Sequence, residues 1–117
     1  MPHTTLEFSS NIIEKDNIKA LFNRLHLLLE KSLPTTLSSC KSRVIDHRLY
    51  TIGDGSSDNA FVHMTLSILS GREKQQKASI GQAIMHLLTE HFSQSSQMLT
   101  LQISLEIRDL HDAYFKN

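Results

Sequence analysis

The chain of 117 residues carries 12 basic and 12 acidic side chains and a single cysteine, Cys40. This length suits one domain, and the balanced charge argues against nucleic acid or an anionic membrane as a partner. A single cysteine cannot form an intrachain disulfide, and no signal-peptide pattern or long apolar segment precedes the first predicted strand. We therefore expect a cytoplasmic protein.

The first half of the chain predicts a strand, a helix and a second strand. Residues 4–8 alternate as a short strand, and Ser9-Ser10-Asn11 with Glu14 three positions later predict a helix cap. Leu33-Pro34 ends the helix, and residues 44–52 predict the second strand. The apolar residues of the helix share one face at a 3.6-residue period, namely Ile18, Leu21, Phe22, Leu25, Leu28 and Leu29.

The second half repeats this order of elements after a turn. Residues 53–59 are rich in Gly, Asp and Ser, which are typical of turns. Residues 61–69 predict a strand, residues 72–92 a helix and residues 98–107 a last strand. One face of the first of these strands is apolar, carrying Val62, Met64, Leu66 and Ile68. The helix has residues at helical spacing on one face, namely Ile80, Ile84, Leu87, Leu88 and His91.

The two halves, about 1–57 and 58–117, also share residues at an offset of sixty positions. His3, Thr5 and Leu6 recur as His63, Thr65 and Leu66. Together with the element order, this repetition predicts a duplicated β-α-β unit in one α/β (α+β) domain spanning residues 1–117. The same order also describes a ferredoxin-like sandwich, so the pattern leaves both architectures open.

The opening Met1-Pro2 offers a catalytic group. Removal of Met1 would leave a free secondary amine on Pro2, and α-amino groups ordinarily have a pKa of about 7.7–8.0. Burial and nearby cations lower that pKa, which would allow the amine to take up and release protons near neutral pH. The alternative is that a small second residue merely permits removal of the methionine.

Five segments resemble the 5-carboxymethyl-2-hydroxymuconate isomerases of the tautomerase superfamily, in the order and at the spacing of that family. They cover nearly the whole chain, and the most specific is the run that follows the Gly/Asp turn. The segments are Met1-Pro2-His3, Lys41-Ser42-Arg43-Val44, the run from Ala60 to Leu66, Gly71-Arg72 and Leu105-Glu106-Ile107.

This resemblance implies a tautomerase fold, with a four-stranded sheet and two helices on one face, assembled as a homotrimer with the sheets turned inward. It implies a cofactor-independent isomerase of aromatic catabolism. The substrate would be a dicarboxylate or tricarboxylate, an unsaturated 2-hydroxy or 2-keto acid. Independently, a sheet with one bare face carrying Phe61 would favour being covered, which assembly would achieve.

By the same resemblance, Pro2 is the catalytic base and acid, and Arg72, Arg43 and Lys41 bind the substrate. Arg72 precedes a predicted helix, where exposed N–H groups also favour an anion. Lys41 departs from the arginine that the family commonly has there, and lysine lacks the bidentate geometry of arginine. Lys41 and Arg43 lie two apart on a predicted strand, so they point to the same side.

The histidines do not indicate a metal site. His86 and His91 are five residues apart and diverge on a helix, and His3 and His63 meet only if the repeats pair closely. We therefore expect neither a metal nor an organic cofactor. The alternatives to an isomerase are a catalytically silent protein of the tautomerase fold and a ferredoxin-like ligand-binding protein.

Overall fold

The structure is a computed structural model that describes residues 1–117. Its strands are β1 (His3–Ser9), β2 (Lys41–His47), β3 (Asn59–Ile68) and β4 (Thr100–Asp109). Its helices are α1 (Ile18–Ser32), α2 (Lys74–His91) and α3 (Ser93–Met98), and two short 3-10 turns lie at Lys15–Asn17 and Leu37–Ser39. None of these helices combines the length and the apolar character needed to cross a membrane.

The sheet has the strand order β2-β1-β3-β4 and confirms the duplicated β-α-β unit. Strands β1 and β2 are parallel, as are β3 and β4, and the two units join where β1 pairs antiparallel with β3. Thr5 lies opposite its repeat counterpart Thr65. A ferredoxin-like split β-α-β unit separates its parallel strands by another strand, whereas here they are direct neighbours.

The apolar core lies between one face of the sheet and the helices. The predicted apolar faces are confirmed, because their central residues are nearly or fully inaccessible to solvent. The buried residues of α1 are Ile18, Leu21, Leu25 and Leu29, those of β3 include Val62, Met64, Leu66 and Ile68, and those of α2 are Ile80, Ile84, Leu87 and Leu88. Burial of these side chains is the main stabilising contribution to the fold.

The predicted bounds of the second strand, 44–52, are wrong. Strand β2 begins at Lys41 because Lys41 lies opposite His3, the first residue of β1. It ends at His47 because β1 offers no partner beyond Ser9. The residues that follow are outside the sheet, and Leu49 among them is 96% exposed. The branched residues there favour a strand locally, but they have no neighbouring chain to pair with.

The predicted cap of the first helix is also wrong, because its polar residues make contacts elsewhere. Asn11 Nδ2 donates to the carbonyl of Asn59 at 2.8 Å, which fixes the loop after β1 to the start of β3. Glu14 is buried and accepts hydrogen bonds from the backbone N–H and the hydroxyl of Ser95. Helix α1 therefore begins only at Ile18, without a side-chain cap.

Helix α3 was not predicted, since its Ser- and Gln-rich sequence has no apolar period. It owes its position to Ser95, which is fully buried. The hydroxyl of Ser95 also accepts the N–H of Ile13 at 2.9 Å, so the segment before α1 and the helix before β4 are joined at one point. These contacts satisfy polar groups that burial would otherwise leave unpaired.

The opposite face of the sheet, which we call the open face, carries no helix and is mostly polar. Phe61 is an apolar exception there, and it is partly covered by the rings of His47 and Tyr50 at 5.8 and 6.5 Å between centroids. The other side chains of the open face include Thr5, Glu7, His63, Thr65, Ser104 and Glu106, which alternate with the core residues along their strands. The open face therefore differs in chemistry from the core face.

Replacement of Ser95 with Ala tests the role of this contact. We expect the Ser95→Ala chain to lose about 1–3 kcal/mol of unfolding free energy, because the buried Glu14 would lose a donor and the N–H of Ile13 would lose its acceptor. Urea denaturation followed by circular dichroism would measure the loss. Ser96→Ala, which alters an exposed serine of the same helix, is the control and should change the value by less than about 0.5 kcal/mol.

Candidate active site

The two repeats bring their chemically important segments to one end of the sheet, which we call the amino end. Strands β1 and β2 begin there, and β3 and β4 end there, because the two parallel pairs run in opposite directions. The N–H of Lys41 donates to the carbonyl of Pro2 at 3.1 Å, and the N–H of Leu110 donates to that of Ile68 at 2.6 Å. The start, middle and end of the sequence therefore meet at this end.

Pro2 is buried at the amino end, immediately before β1. The pKa of the chain's amino group, on Met1, is held below its ordinary value of 8.0. Burial is the main cause, followed by the charges of Arg72, Lys116 and Lys41, whereas Cys40 opposes them. An amine in this place is therefore neutral over a wider range of pH than an exposed one.

Arg72 follows the end of β3 and leaves part of its guanidinium unused. Gly71 before it has a φ of 106°, a conformation that L side chains rarely adopt, so a glycine is favoured at this bend. Arg72 makes one long hydrogen bond, 3.5 Å from Nη1 to the carbonyl of Leu69. Its Nε is buried without a partner. An anion bound there would satisfy a donor that the chain itself does not pair.

Lys41 and Arg43 lie on the same side of β2, as predicted, and that side is the open face. The charge of Lys41 contributes to lowering the pKa of the terminal amine. The Nζ of Lys41 donates to the carbonyl of Ser39 at 3.2 Å. Arg43 lies farther along the strand, and its Nη2 is bonded to Nδ1 of His3 at 2.9 Å. The structure thus brings Pro2, Lys41 and Arg72 together, with Arg43 linked to them through His3.

His3 connects this site to the C-terminal tail. Arginine only donates hydrogen bonds, so Nδ1 of His3 must accept the bond from Arg43. The proton of the neutral ring is therefore on Nε2, which donates to the hydroxyl of Tyr114 at 3.0 Å. Burial and the charges of Arg43 and Lys41 lower the pKa of His3, which agrees with this neutral form. A neutral imidazole is the only form that satisfies both contacts.

Three residues of this site escaped sequence reasoning: His3 as a link, Tyr114 and Lys116. The tail shows no periodicity, so its return to the amino end had no signal in the sequence. His3 had one signal, its position directly after Pro2.

Cys40 also lies at this end, where burial raises the pKa of its thiol through desolvation. A raised pKa disfavours the reactive thiolate.

The remaining histidines lie apart from one another. The repeats do pair, but His3 lies opposite Ser67 and His63 opposite Glu7, so the two histidines do not meet. His63 is bonded instead through Nδ1 to the hydroxyl of Ser104 at 2.7 Å. No group of three or more His, Cys, Asp or Glu side chains is placed to hold a metal ion.

Two grooves run along the edges of the sheet, away from the amine. The larger, about 790 Å³, lies between α1 and β2 and includes Arg43 and Val44 in its lining. The other, about 560 Å³, lies between α2 and β4 and passes Gly81 and Ile107. Neither groove is lined by Pro2 or Arg72.

Comparison with known proteins gives consistent results. The sequence model of a family described as 5-carboxymethyl-2-hydroxymuconate isomerase matches residues 2–117. An Escherichia coli protein described as 5-carboxymethyl-2-hydroxymuconate Delta-isomerase is 33% identical over 111 residues, which cover 95% of this chain and 88% of that protein.

Solved structures agree with the sequence comparison. A crystal structure of a 5-carboxymethyl-2-hydroxymuconate isomerase from Deinococcus radiodurans R1 matches with a TM-score of 0.90 and 30% identity, over 99% of this chain and 88% of that one. A structure described as a fused 4-OT wild type symmetric trimer matches with a TM-score of 0.68 and 16% identity, over 92% and 85%. The second similarity, at this identity, concerns the fold alone.

The amine at the amino end can be titrated directly. We expect its rate of acylation to reach half of its maximum at a pH below 8.0, because only the neutral amine reacts and its pKa is lowered. Arg72→Ala should move this midpoint upward, since a nearby cation is removed. Mass spectrometry of the N-terminal peptide measures the rate, and Arg24→Ala, an exposed arginine paired with Glu90 on the helices, should leave the midpoint unchanged.

Proposed function

The chain belongs to the 5-carboxymethyl-2-hydroxymuconate isomerase family of the tautomerase superfamily, and from this membership we propose a specific reaction. The enzyme moves a proton within 5-carboxymethyl-2-hydroxymuconate or a closely similar 2-hydroxy or 2-keto acid, without a cofactor, in the breakdown of aromatic compounds. The amine of Pro2, freed by removal of Met1, carries the proton. We place the enzyme in the cytoplasm, the compartment expected from its single free thiol.

The reaction requires a base that is neutral near the working pH. The neutral Pro2 amine takes the proton of the 2-hydroxyl group, and the electron pair of the broken O–H bond moves into the conjugated system to give a dienolate. The protonated amine then delivers the proton to a carbon of that system, which gives the 2-keto acid with one carbon–carbon double bond. One group thus serves first as base and then as acid.

The cations of the site hold the substrate and stabilise the negative charge that develops on its oxygen. Arg72 is proposed to bind a carboxylate with the donors that the chain leaves free, and its charge lies near the amino terminus. Lys41 contributes a second charge without bidentate geometry. Arg43 is proposed to contact the substrate from the open face, since His3 uses only its Nη2 among five N–H donors.

One observation supports this proposal above the others. The amino end combines a buried proline with a neighbouring amine whose pKa is lowered by burial and by Arg72 and Lys41. Cations near an amine repel its protonated form and attract an anionic substrate, so the same charges serve both steps of the reaction. Removal of Met1 would place the amine of Pro2 one residue closer to the strand, within the same charges.

Chain shown by mass to begin at Pro2 should isomerise 5-carboxymethyl-2-hydroxymuconate, followed by ultraviolet absorbance. We expect Pro2→Ala to lower kcat by about 10²-fold, because the primary amine that replaces proline differs in basicity and rigidity. Chain that retains Met1 should lose at least as much activity, because its amine is displaced by one residue, about 3.8 Å.

The matched control is Pro34→Ala, which alters the only other proline, an exposed residue after α1. It should retain activity within about twofold. Equal activity of the Pro2 and Met1 forms would contradict a role for the amine. An absence of turnover by the Pro2 form would instead favour a catalytically silent protein of this fold that binds a carboxylate ligand.

We also propose that the enzyme is a homotrimer whose open faces turn inward. The fold is shared with a structure described as a symmetric trimer, and neither groove of the single chain is lined by Pro2 or Arg72. The paired polar groups of the open face, such as His47 with Glu7 at 2.9 Å, suit burial in an interface, because their hydrogen bonds are already satisfied.

Light scattering after gel filtration would determine the assembly. We expect a mass of about three times 13.3 kDa for the wild-type chain. Thr65→Arg should reduce this mass to that of one chain, because it places a long cation at the centre of the open face. Thr89→Arg makes the same change on the exposed side of α2 and should leave the mass unchanged, whereas a wild-type monomer would refute the trimer.

A further inference from the structure

The C-terminal tail, residues 110–117, folds back to the amino end. The N–H of Leu110 donates to the carbonyl of Ile68, and the N–H of Ala113 donates to Nδ1 of His111 at 2.9 Å. The hydroxyl of Tyr114 then meets Nε2 of His3 at 3.0 Å, and the two rings contact edge to face at 5.9 Å between centroids. The tail is therefore fixed beside the residue that follows Pro2.

Lys116 extends this contact with a free charge. It lies two residues beyond Tyr114, a separation of at most about 7 Å along the chain. It is exposed and forms no ion pair within the chain. The charge of Lys116 lies close enough to the amino terminus to lower the pKa of the terminal amine. It does so less than burial and Arg72, and more than Lys41.

The three cations at this end form no ion pair within the chain. The charges at this end, those of Lys41, Arg72 and Lys116, all disfavour the protonated amine. No carboxylate appears among the groups acting on that amine. A substrate with more than one carboxylate would bring one negative charge to each cation that it reaches.

We propose that Lys116, positioned by the Tyr114–His3 hydrogen bond, binds a second carboxylate of the substrate and makes the site selective for polycarboxylates over monocarboxylates. This inference rests on the proposed function, since it assigns a residue to the same substrate. Lys116 contacts the substrate directly, whereas Tyr114 is a positioning residue that acts by holding the tail. Neither residue lies in the five short segments on which the sequence resemblance was based.

Two probes with the same carbon skeleton separate the second carboxylate from the first. Muconate and sorbate are six-carbon dienes with two carboxylates and one, and neither requires turnover to be studied. Their affinities are measured by calorimetry with chain that begins at Pro2, at an ionic strength of about 0.01 M, where charges are weakly screened. The wild-type chain should bind muconate more tightly than sorbate.

We expect Lys116→Gln to raise the Kd for muconate about tenfold and that for sorbate less than about twofold, because only muconate reaches the lost charge. Lys116→Arg should retain the preference. Tyr114→Phe, which keeps the ring but loses the hydroxyl bonded to His3, should raise the Kd for muconate by a smaller factor. Lys19→Gln, an exposed lysine at the start of α1, is the matched control and should change neither value.

The outcomes distinguish this inference from the proposed function. An unchanged Kd for muconate in Lys116→Gln, or an equal loss for both probes, would overturn the assignment of Lys116. Absence of muconate binding by the wild-type chain would overturn it as well. Muconate binding that depends on Lys116, in a chain that does not isomerise 5-carboxymethyl-2-hydroxymuconate, would uphold this inference and refute the proposed reaction alone.

Discussion

The register between β1 and β3 is the constraint on which the rest of the structure depends. Thr5 opposite Thr65 sets the antiparallel joint between the two repeats, and the parallel strands β2 and β4 then add to the outside. A shift of one residue would turn the buried side chains of one strand, such as Leu6, to the open face, so burial specifies this pairing strongly. The same antiparallel pairing brings the beginning of β1 and the end of β3 to the amino end. Pro2, which precedes β1, and Arg72, which follows β3, therefore lie at the same end of the sheet.

The chemistry of the amino end follows from this geometry through electrostatics. Arg72 arrives from the end of β3, Lys41 from the start of β2 and Lys116 from the tail, and each repels a protonated amine in a place already partly shielded from water. None of these three cations forms an ion pair within the chain, and like charges gathered in one place attract an anion. A cluster of this kind is therefore a candidate binding site.

The two faces of the sheet serve different purposes. The core face is closed by α1 and α2 and holds apolar side chains such as Met64 and Leu66, which contribute most of the stability. The open face pairs its polar groups across neighbouring strands, as in the bond between His63 and Ser104. Because such pairs are satisfied within the chain, another surface can cover them without leaving buried donors unpaired.

Sequence by itself determined the duplicated β-α-β order, the apolar faces of α1, α2 and β3, and the family, because periodicity and local motifs depend on near neighbours in the chain. The substrate-binding roles of Lys41, Arg43 and Arg72 stay predictions. Only the tertiary structure decided that β2 begins at Lys41 and that Glu14 meets Ser95 rather than capping a helix. It also decided that Tyr114 returns to His3, over a separation of 111 residues. Strand ends, buried polar pairs and tail contacts depend on partners distant in sequence, so a local sequence pattern does not predict them.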